Sequence, residues 1–221
     1  MEQPIISVEH VTKSYGAETV LKDVSASFQR GRITGIIGRN GSGKTVLLKC
    51  ILGLTPLTSG KILIDGKEIG KDIDFPNSVG FIINTPGFLP HDSGYANLKF
   101  LAAINDQIRK DEIVHAMRMV GLNAESRKKV EKYSLGMRQR LAIAQAIMED
   151  PEILILDEPM NSLDNAGVQE MRKLFLEMSQ SGKTVLLTSH NHEDIETLCD
   201  TVYEMDHGIL TKASYSDVSS R

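Results

Sequence analysis

The sequence predicts an α/β fold, a mostly parallel, doubly wound sheet with its ligand at the carboxyl ends of the strands. Three observations carry this. Gly38-Arg39-Asn40-Gly41-Ser42-Gly43-Lys44-Thr45 fits the spacing G-x-x-x-x-G-K-[ST]. Aliphatic runs at 153–156 and 184–187 are continuous, as in strands buried on both faces. Helical periodicity separates these runs and the phosphate-type loop from one another.

Taken in order, 5–11 alternates as a strand, and 20–28 gives a second after a turn around Gly16. Residues 33–37 form a short buried strand that runs into the glycine loop. Residues 46–52 are apolar apart from Lys49 and stop at Gly53 like a helix. A strand at 60–64 ends in the Asp65-Gly66 turn, and 79–83 is another apolar strand running into the loop Asn84-Thr85-Pro86-Gly87.

From Ser93 to about Glu149 strand signals vanish. Segments 95–104, 112–120 and 135–148 carry helical spacing, which reads as a helical lobe inserted into an α/β core. After the strand at 153–156, helix 167–179 aligns Val168, Met171, Leu174, Phe175 and Met178 on one stripe. The strand at 184–187, a short helix holding Ile195 and Leu198, and a hairpin of 202–205 with 209–212 complete the chain. The Ser-rich stretch 214–221 reads as a frayed tail.

Composition narrows the function classes. The chain has 221 residues, 41% of them hydrophobic, enough for one large α/β domain. A net charge of −4 offers no basic footprint for nucleic acid. Cys50 and Cys199 have no metal-ligand spacing and read as reduced thiols. No apolar run is long enough to span a bilayer, and Met1-Glu2-Gln3-Pro4 does not open a signal peptide, so a membrane connection would come through a partner.

The chemistry begins at the glycine loop. Gly38, Gly41 and Gly43 let the backbone curl so that successive N–H groups, with those of Asn40 and Ser42, point at an anion. The helix start adds partial positive charge, Lys44 reaches terminal phosphates, and the Thr45 hydroxyl can ligate Mg²⁺. Asp157-Glu158-Pro159 follows a central strand and so lies on the same edge of the sheet. Asp157 can hold Mg²⁺ there, and Glu158 can polarise an attacking water. Ser134 is a good helix N-cap before Leu135-Gly136-Met137-Arg138-Gln139, a helix start that reads first as an ordinary capped helix and second as an anion site.

With these pieces in view the chain resembles the ATP-binding subunit of an ABC transporter, over residues 5–212. The loop 38–45 resembles Walker A, 153–158 Walker B, Ser134 to Gln139 the ABC signature, Asn161-Ser162-Leu163-Asp164 the D-loop, and Thr188-Ser189-His190 the switch histidine. Tyr15 resembles the aromatic residue that stacks on adenine, and also reads as a half-buried aromatic. The resemblance implies the ABC ATPase fold over 1–213: a P-loop NTPase core with a mostly parallel sheet, N-terminal antiparallel β strands, and a helical subdomain at about 87–149 inserted in the RecA-like part. It also implies ATP and Mg²⁺ as ligands. Lys44, Glu158 and His190 would be catalytic, with His190 bonding the γ-phosphate, and Thr45, Asp157 and Asn84 would hold the metal. A second ATPase protomer would close over ATP, contributing Ser134 and Gly136. A transmembrane permease subunit would place the chain in the cytoplasm, peripheral on the inner face of the membrane, and no nucleic acid is expected. Phe88, Leu89 and Tyr95 are candidates for the permease surface, or for packing inside the lobe.

Two departures stand out. Leu135 and Met137 replace a glycine and a glutamine of the family's usual signature, while Ser134 and Gly136 remain. Asn84 stands where the family carries a glutamine, one methylene or about 1.5 Å shorter in reach. The run 80–90 and the Ser-Leu-Gly-Met signature resemble a subgroup of bacterial exporters that handle peptide antibiotics such as bacitracin and lantibiotics, although that subgroup often carries glutamate at the Asn84 place. The alternative is a soluble ABC-type ATPase acting on ribosomes or DNA. Such proteins usually have two ATPase modules or a long coiled-coil insertion, and this chain has neither. A switch GTPase would need an Asn-Lys-x-Asp motif, which is absent.

Overall fold

The computed structural model describes residues 3–84, 87–105 and 108–213. The predicted loop residues Thr85 and Pro86 and the predicted frayed tail lie outside them. The described chain runs β1 (Ile6–Tyr15), β2 (Glu18–Phe28), β3 (Ile33–Ile37), α1 (Lys44–Ile51), β4 (Ser59–Ile64), β5 (Lys67–Glu68), β6 (Val79–Ile82), α2 (Gly94–Asn105), α3 (Lys110–Met119), α4 (Leu135–Ile147), β7 (Ile153–Leu156), α5 (Asn165–Gln180), β8 (Thr184–Thr188), α6 (His192–Leu198), β9 (Thr201–Asp206) and β10 (Ile209–Lys212).

Two sheets form. The first is antiparallel in the order β2-β1-β4-β5; the second is β10-β9-β3-β8-β7-β6, parallel except for β10. Strand β7 shows why the second sheet is central. Ile153 and Ile155 point into one apolar cluster with β1, β2, β4 and α1, while Leu154 and Leu156 point into another with α2 to α6. All four side chains are buried, each contributing about 1.5–3 kcal/mol against exposure. The parallel strands share one direction, so the residues after β3, β6, β7 and β8 meet on one edge.

One expectation needs correcting. The first strand, read from sequence as 5–11, runs on through Lys13, Ser14 and Tyr15. The register slips between Val8 and Val11, with His10 at φ 52°, so the alternation changes phase and then continues to Tyr15. Helix ends follow their caps: Ser134 Oγ accepts the Met137 N–H, Asp164 Oδ1 the Gly167 N–H, and Asn191 Oδ1 the Glu193 N–H. Helix α1 begins at Gly43 with no side-chain cap, which leaves its first N–H groups facing the loop.

Candidate functional site

The loop between β3 and α1 is built on backbone geometry that side chains disfavour. Gly38 has φ 148°, and a Cβ there would collide with the Met205 carbonyl oxygen. The Gly208 N–H binds the Ser42 carbonyl at 3.0 Å, tying the loop to the β9–β10 turn. Lys44 is 7% exposed, and its Nζ donates to the carbonyls of Gly38 at 2.7 Å and Arg39 at 3.2 Å. The ammonium therefore sits inside the curl of the loop. A cavity of about 200 Å³ opens here, lined by residues 40–46 with Val20, Asp157 and Glu158.

The buried Ser42 Oγ has no hydrogen-bond partner. A buried hydroxyl left unsatisfied costs about 1–3 kcal/mol, so a ligand carrying acceptor oxygens would recover that energy. The loop thus fits a polyphosphate on its own geometry.

Opposite the loop, one carboxylate accepts two hydroxyls. Asp157 Oδ2 accepts from Thr45 Oγ1 at 2.7 Å and Oδ1 from Thr188 Oγ1 at 2.8 Å. The same Thr188 oxygen accepts the Glu158 N–H at 2.9 Å. Glu158 stands at φ 51°, a left-handed conformation unusual for its type, and its Oε2 lies 2.9 Å from His190 Nδ1. An ionised carboxylate can only accept, so Nδ1 carries the proton in that contact. The hydroxyl of Thr45 and the carboxylate of Asp157 are hard oxygen donors side by side, the chemistry Mg²⁺ takes. Among the described residues no three His, Cys, Asp or Glu side chains form a metal cluster.

Of the residues singled out from sequence, Lys44, Thr45, Asp157, Glu158 and His190 come together. Tyr15, Asn84, Ser134 and Gly136 line none of the loop cavity. Tyr15 is 51% exposed on β1, with the Lys13 Nζ 4.7 Å from its ring centroid. Asn84 is exposed beyond β6 at φ 60°. Gly136 packs towards the Ser162 carbonyl, and Gln139 Nε2 donates to the Pro159 carbonyl at 2.8 Å, joining the start of α4 to the loop after Glu158.

Thr188 carried no role in the sequence reading, although it joins both acidic residues. Its signal was the strand register: Leu156 pairs with Leu187, which sets Thr188 beside Asp157.

A family model described as ABC transporter matches residues 21–161. YybJ of Bacillus subtilis (strain 168), an uncharacterized ABC transporter ATP-binding protein, is 45% identical over 93% of this chain and 94% of its own length. BcrA of Enterococcus faecalis, a bacitracin transport ATP-binding protein, is 40% identical over 94% of this chain and 68% of its own length. Among solved structures, cbiO1 from Clostridium perfringens, part of the ABC transporter complex cbiONQ, is 29% identical with a TM-score of 0.82, over 100% of this chain and 92% of that one.

Proposed function

Because this chain belongs to the ABC transporter family, as an ATP-binding subunit with the ABC ATPase fold, we propose that its ATP hydrolysis powers export of peptide antibiotics of the bacitracin and lantibiotic kind. The observation that carries the catalytic part is the continuous chain Thr45–Asp157–Thr188–Glu158–His190 beside the phosphate loop. The substrate part rests on BcrA and on the 80–90 run. Both point to transport, so the soluble ribosome- or DNA-acting alternative is not favoured.

In this reading residues 1–213 are one ATPase domain with 87–149 as its helical subdomain. The N–H groups of the loop 38–45 and Lys44 bind the β- and γ-phosphates, Ser42 Oγ donates to one of their oxygens, and Tyr15 stacks on the adenine. Thr45 and Asp157 would hold Mg²⁺, joined by Asn84 either through movement of its loop or through a water, and the ion would neutralise phosphate charge. Glu158 orients and deprotonates the attacking water, a contribution of about 10²–10⁴ in rate. His190 positions Glu158 through Nδ1, and donating to the γ-phosphate as well requires a proton on Nε2.

A second protomer completes the site with Ser134 and Gly136. The permease docks in the groove of about 360 Å³ beside the loop after β6, where Phe81, Phe88, Leu89, Phe100 and Leu101 gather. Leu89 and Phe100 are 49% and 59% exposed. Phe88, Leu101 and Tyr95 are all partly buried and packed against the apolar core, so the exposed apolar surface there is that of Leu89 and Phe100. No helix among the described residues is long and apolar enough to cross a membrane, so the chain would sit on the cytoplasmic face through that permease.

Supplying Lys44→Ala in place of the wild-type chain should abolish nucleotide binding in vitro and raise the cell's sensitivity to bacitracin or a lantibiotic. Unchanged nucleotide affinity would remove the phosphate-loop assignment. Lost affinity with unchanged sensitivity would remove the substrate class alone.

A further inference from the structure

Helix α5 sends a buried guanidinium across to α6. Arg172 is 3% exposed, and its Nε and Nη2 donate to Asp194 Oδ1 at 2.9 and 2.6 Å, while Nη1 donates to Glu193 Oε1 at 2.8 Å. Asp194, also 3% exposed, uses its other oxygen, Oδ2, to accept the Ser189 hydroxyl at 3.0 Å. That hydroxyl in turn accepts the Asn191 N–H at 3.0 Å, and Asn191 Oδ1 accepts the Glu193 N–H at 2.9 Å. The two residues flanking His190 are therefore fixed by one oxygen, which is itself fixed by Asp194. His190 is left 63% exposed at its side chain, with Nδ1 2.9 Å from Glu158 Oε2.

We propose that Arg172 and Asp194 are positioning residues that, through Ser189, hold the His190 loop so that the imidazole meets Glu158. The proposal rests on the reading of His190 and Glu158 given above. A buried ion pair gives little stability over apolar side chains of the same volume, because desolvation offsets the attraction. What this pair supplies is direction. The planar fork of Arg172 fixes Asp194 and Glu193 together from three separate nitrogens, a rigid spread of donors that the single nitrogen of a lysine lacks. The Asp194 carboxylate then has one oxygen left, aimed at Ser189. Without it the Ser189 hydroxyl is free to rotate and the backbone on both sides of His190 loses its tether. A misplacement of about 1 Å at a catalytic group can cost on the order of a hundredfold in rate.

Steady-state ATP hydrolysis by the purified full-length chain tests this, using Asp194→Asn, Ser189→Ala, Ser189→Thr, His190→Ala and the double variant Asp194→Asn/His190→Ala. Asp194→Asn and Ser189→Ala should each lower kcat by about tenfold or more, with KM for ATP within about twofold of wild type. Ser189→Thr restores the hydroxyl and should recover most of what Ser189→Ala loses. The decisive comparison is the double variant: with His190 removed, Asp194→Asn should cost no further factor. If Asp194→Asn slows His190→Ala as much as it slows the wild type, or leaves the wild type unslowed, the proposal is overturned. Should Asp194→Asn not fold, Ser189→Ala in the same two backgrounds makes the same comparison through the loss of one oxygen atom. A His190→Ala variant hydrolysing ATP at the wild-type rate would instead overturn the underlying reading of His190.

Discussion

His190 Nδ1 lies 2.9 Å from Glu158 Oε2, so the imidazole holds the proposed base. Glutamine in place of Glu158 keeps an acceptor oxygen for that ring but cannot take a proton. Glu158→Gln should therefore bind ATP with affinity within a few-fold of wild type and hydrolyse it about 10²–10⁴ times more slowly. ATP-dependent dimers should accumulate in size-exclusion chromatography. Turnover at the wild-type rate would remove Glu158 from the base role.

Thr188 makes a narrower prediction. Its hydroxyl both donates to Asp157 and accepts the Glu158 N–H, and the residue is fully buried. Thr188→Val keeps the shape and removes both bonds, leaving a backbone N–H without its partner at a cost of about 1–3 kcal/mol. The melting temperature should fall, and kcat should fall about tenfold or more because Glu158 is no longer held. Calorimetry with steady-state kinetics checks both. A lowered melting temperature with unchanged kcat would make Thr188 structural only.

The parts legible in the sequence are those set by local pattern. The phosphate loop, the doubly buried strands β7 and β8, and the cap at Ser134 each announce themselves within a few residues. What escaped depends on through-space neighbours. β1 beyond Val11 was hidden because the bulge at His10 shifts the alternation, and the two-residue β5 is too short to show a period. Thr188 meets Asp157 only because β8 lies beside β7, and Arg172 meets Asp194 only because α5 packs on α6. Sheet order and helix packing of this kind have no local signature.

The thiols predict an alkaline weakness. Burial pushes Cys199 up from 9.0 to about 12, reinforced by Asp200 and Asp194, and pushes Cys50 up from 9.0 to about 11. The folded chain holds both protons more tightly than the unfolded chain. The resulting stability is whole below about pH 9 and is lost as pH rises from there through 11 to 12, by about 1.4 kcal/mol per pH unit for each thiol at most. Urea unfolding midpoints between pH 8 and 11 (an experimental range, about three units) should fall along this course. Cys199→Ala should flatten the slope whatever its effect on absolute stability. An unchanged slope would mean that the folded thiol titrates normally. Iodoacetamide at pH 8 should also label the native chain far more slowly than the urea-unfolded chain.

The last prediction separates two glycines of the same loop. A Cβ on Gly38 would run into the Met205 carbonyl oxygen and approach Ser42 Oγ to 2.9 Å, and the backbone oxygen cannot swing away as a side chain could. At Gly41, φ is +79° but a Cβ meets nothing within 4 Å. Gly41→Ala therefore pays only for a left-handed alanine, about 1–2 kcal/mol. Gly38→Ala adds to its own strained φ of +148° the displacement of the loop from β9, with overpacking worth about 1–3 kcal/mol more. Moving Gly38 also moves the carbonyl that Lys44 Nζ holds at 2.7 Å, so the ammonium is redirected. Gly38→Ala should be the less stable variant in thermal melts and should lose at least tenfold more ATP affinity than Gly41→Ala by isothermal titration. Equal stability and equal affinity in the two variants would show that the loop is not braced against Met205 in solution.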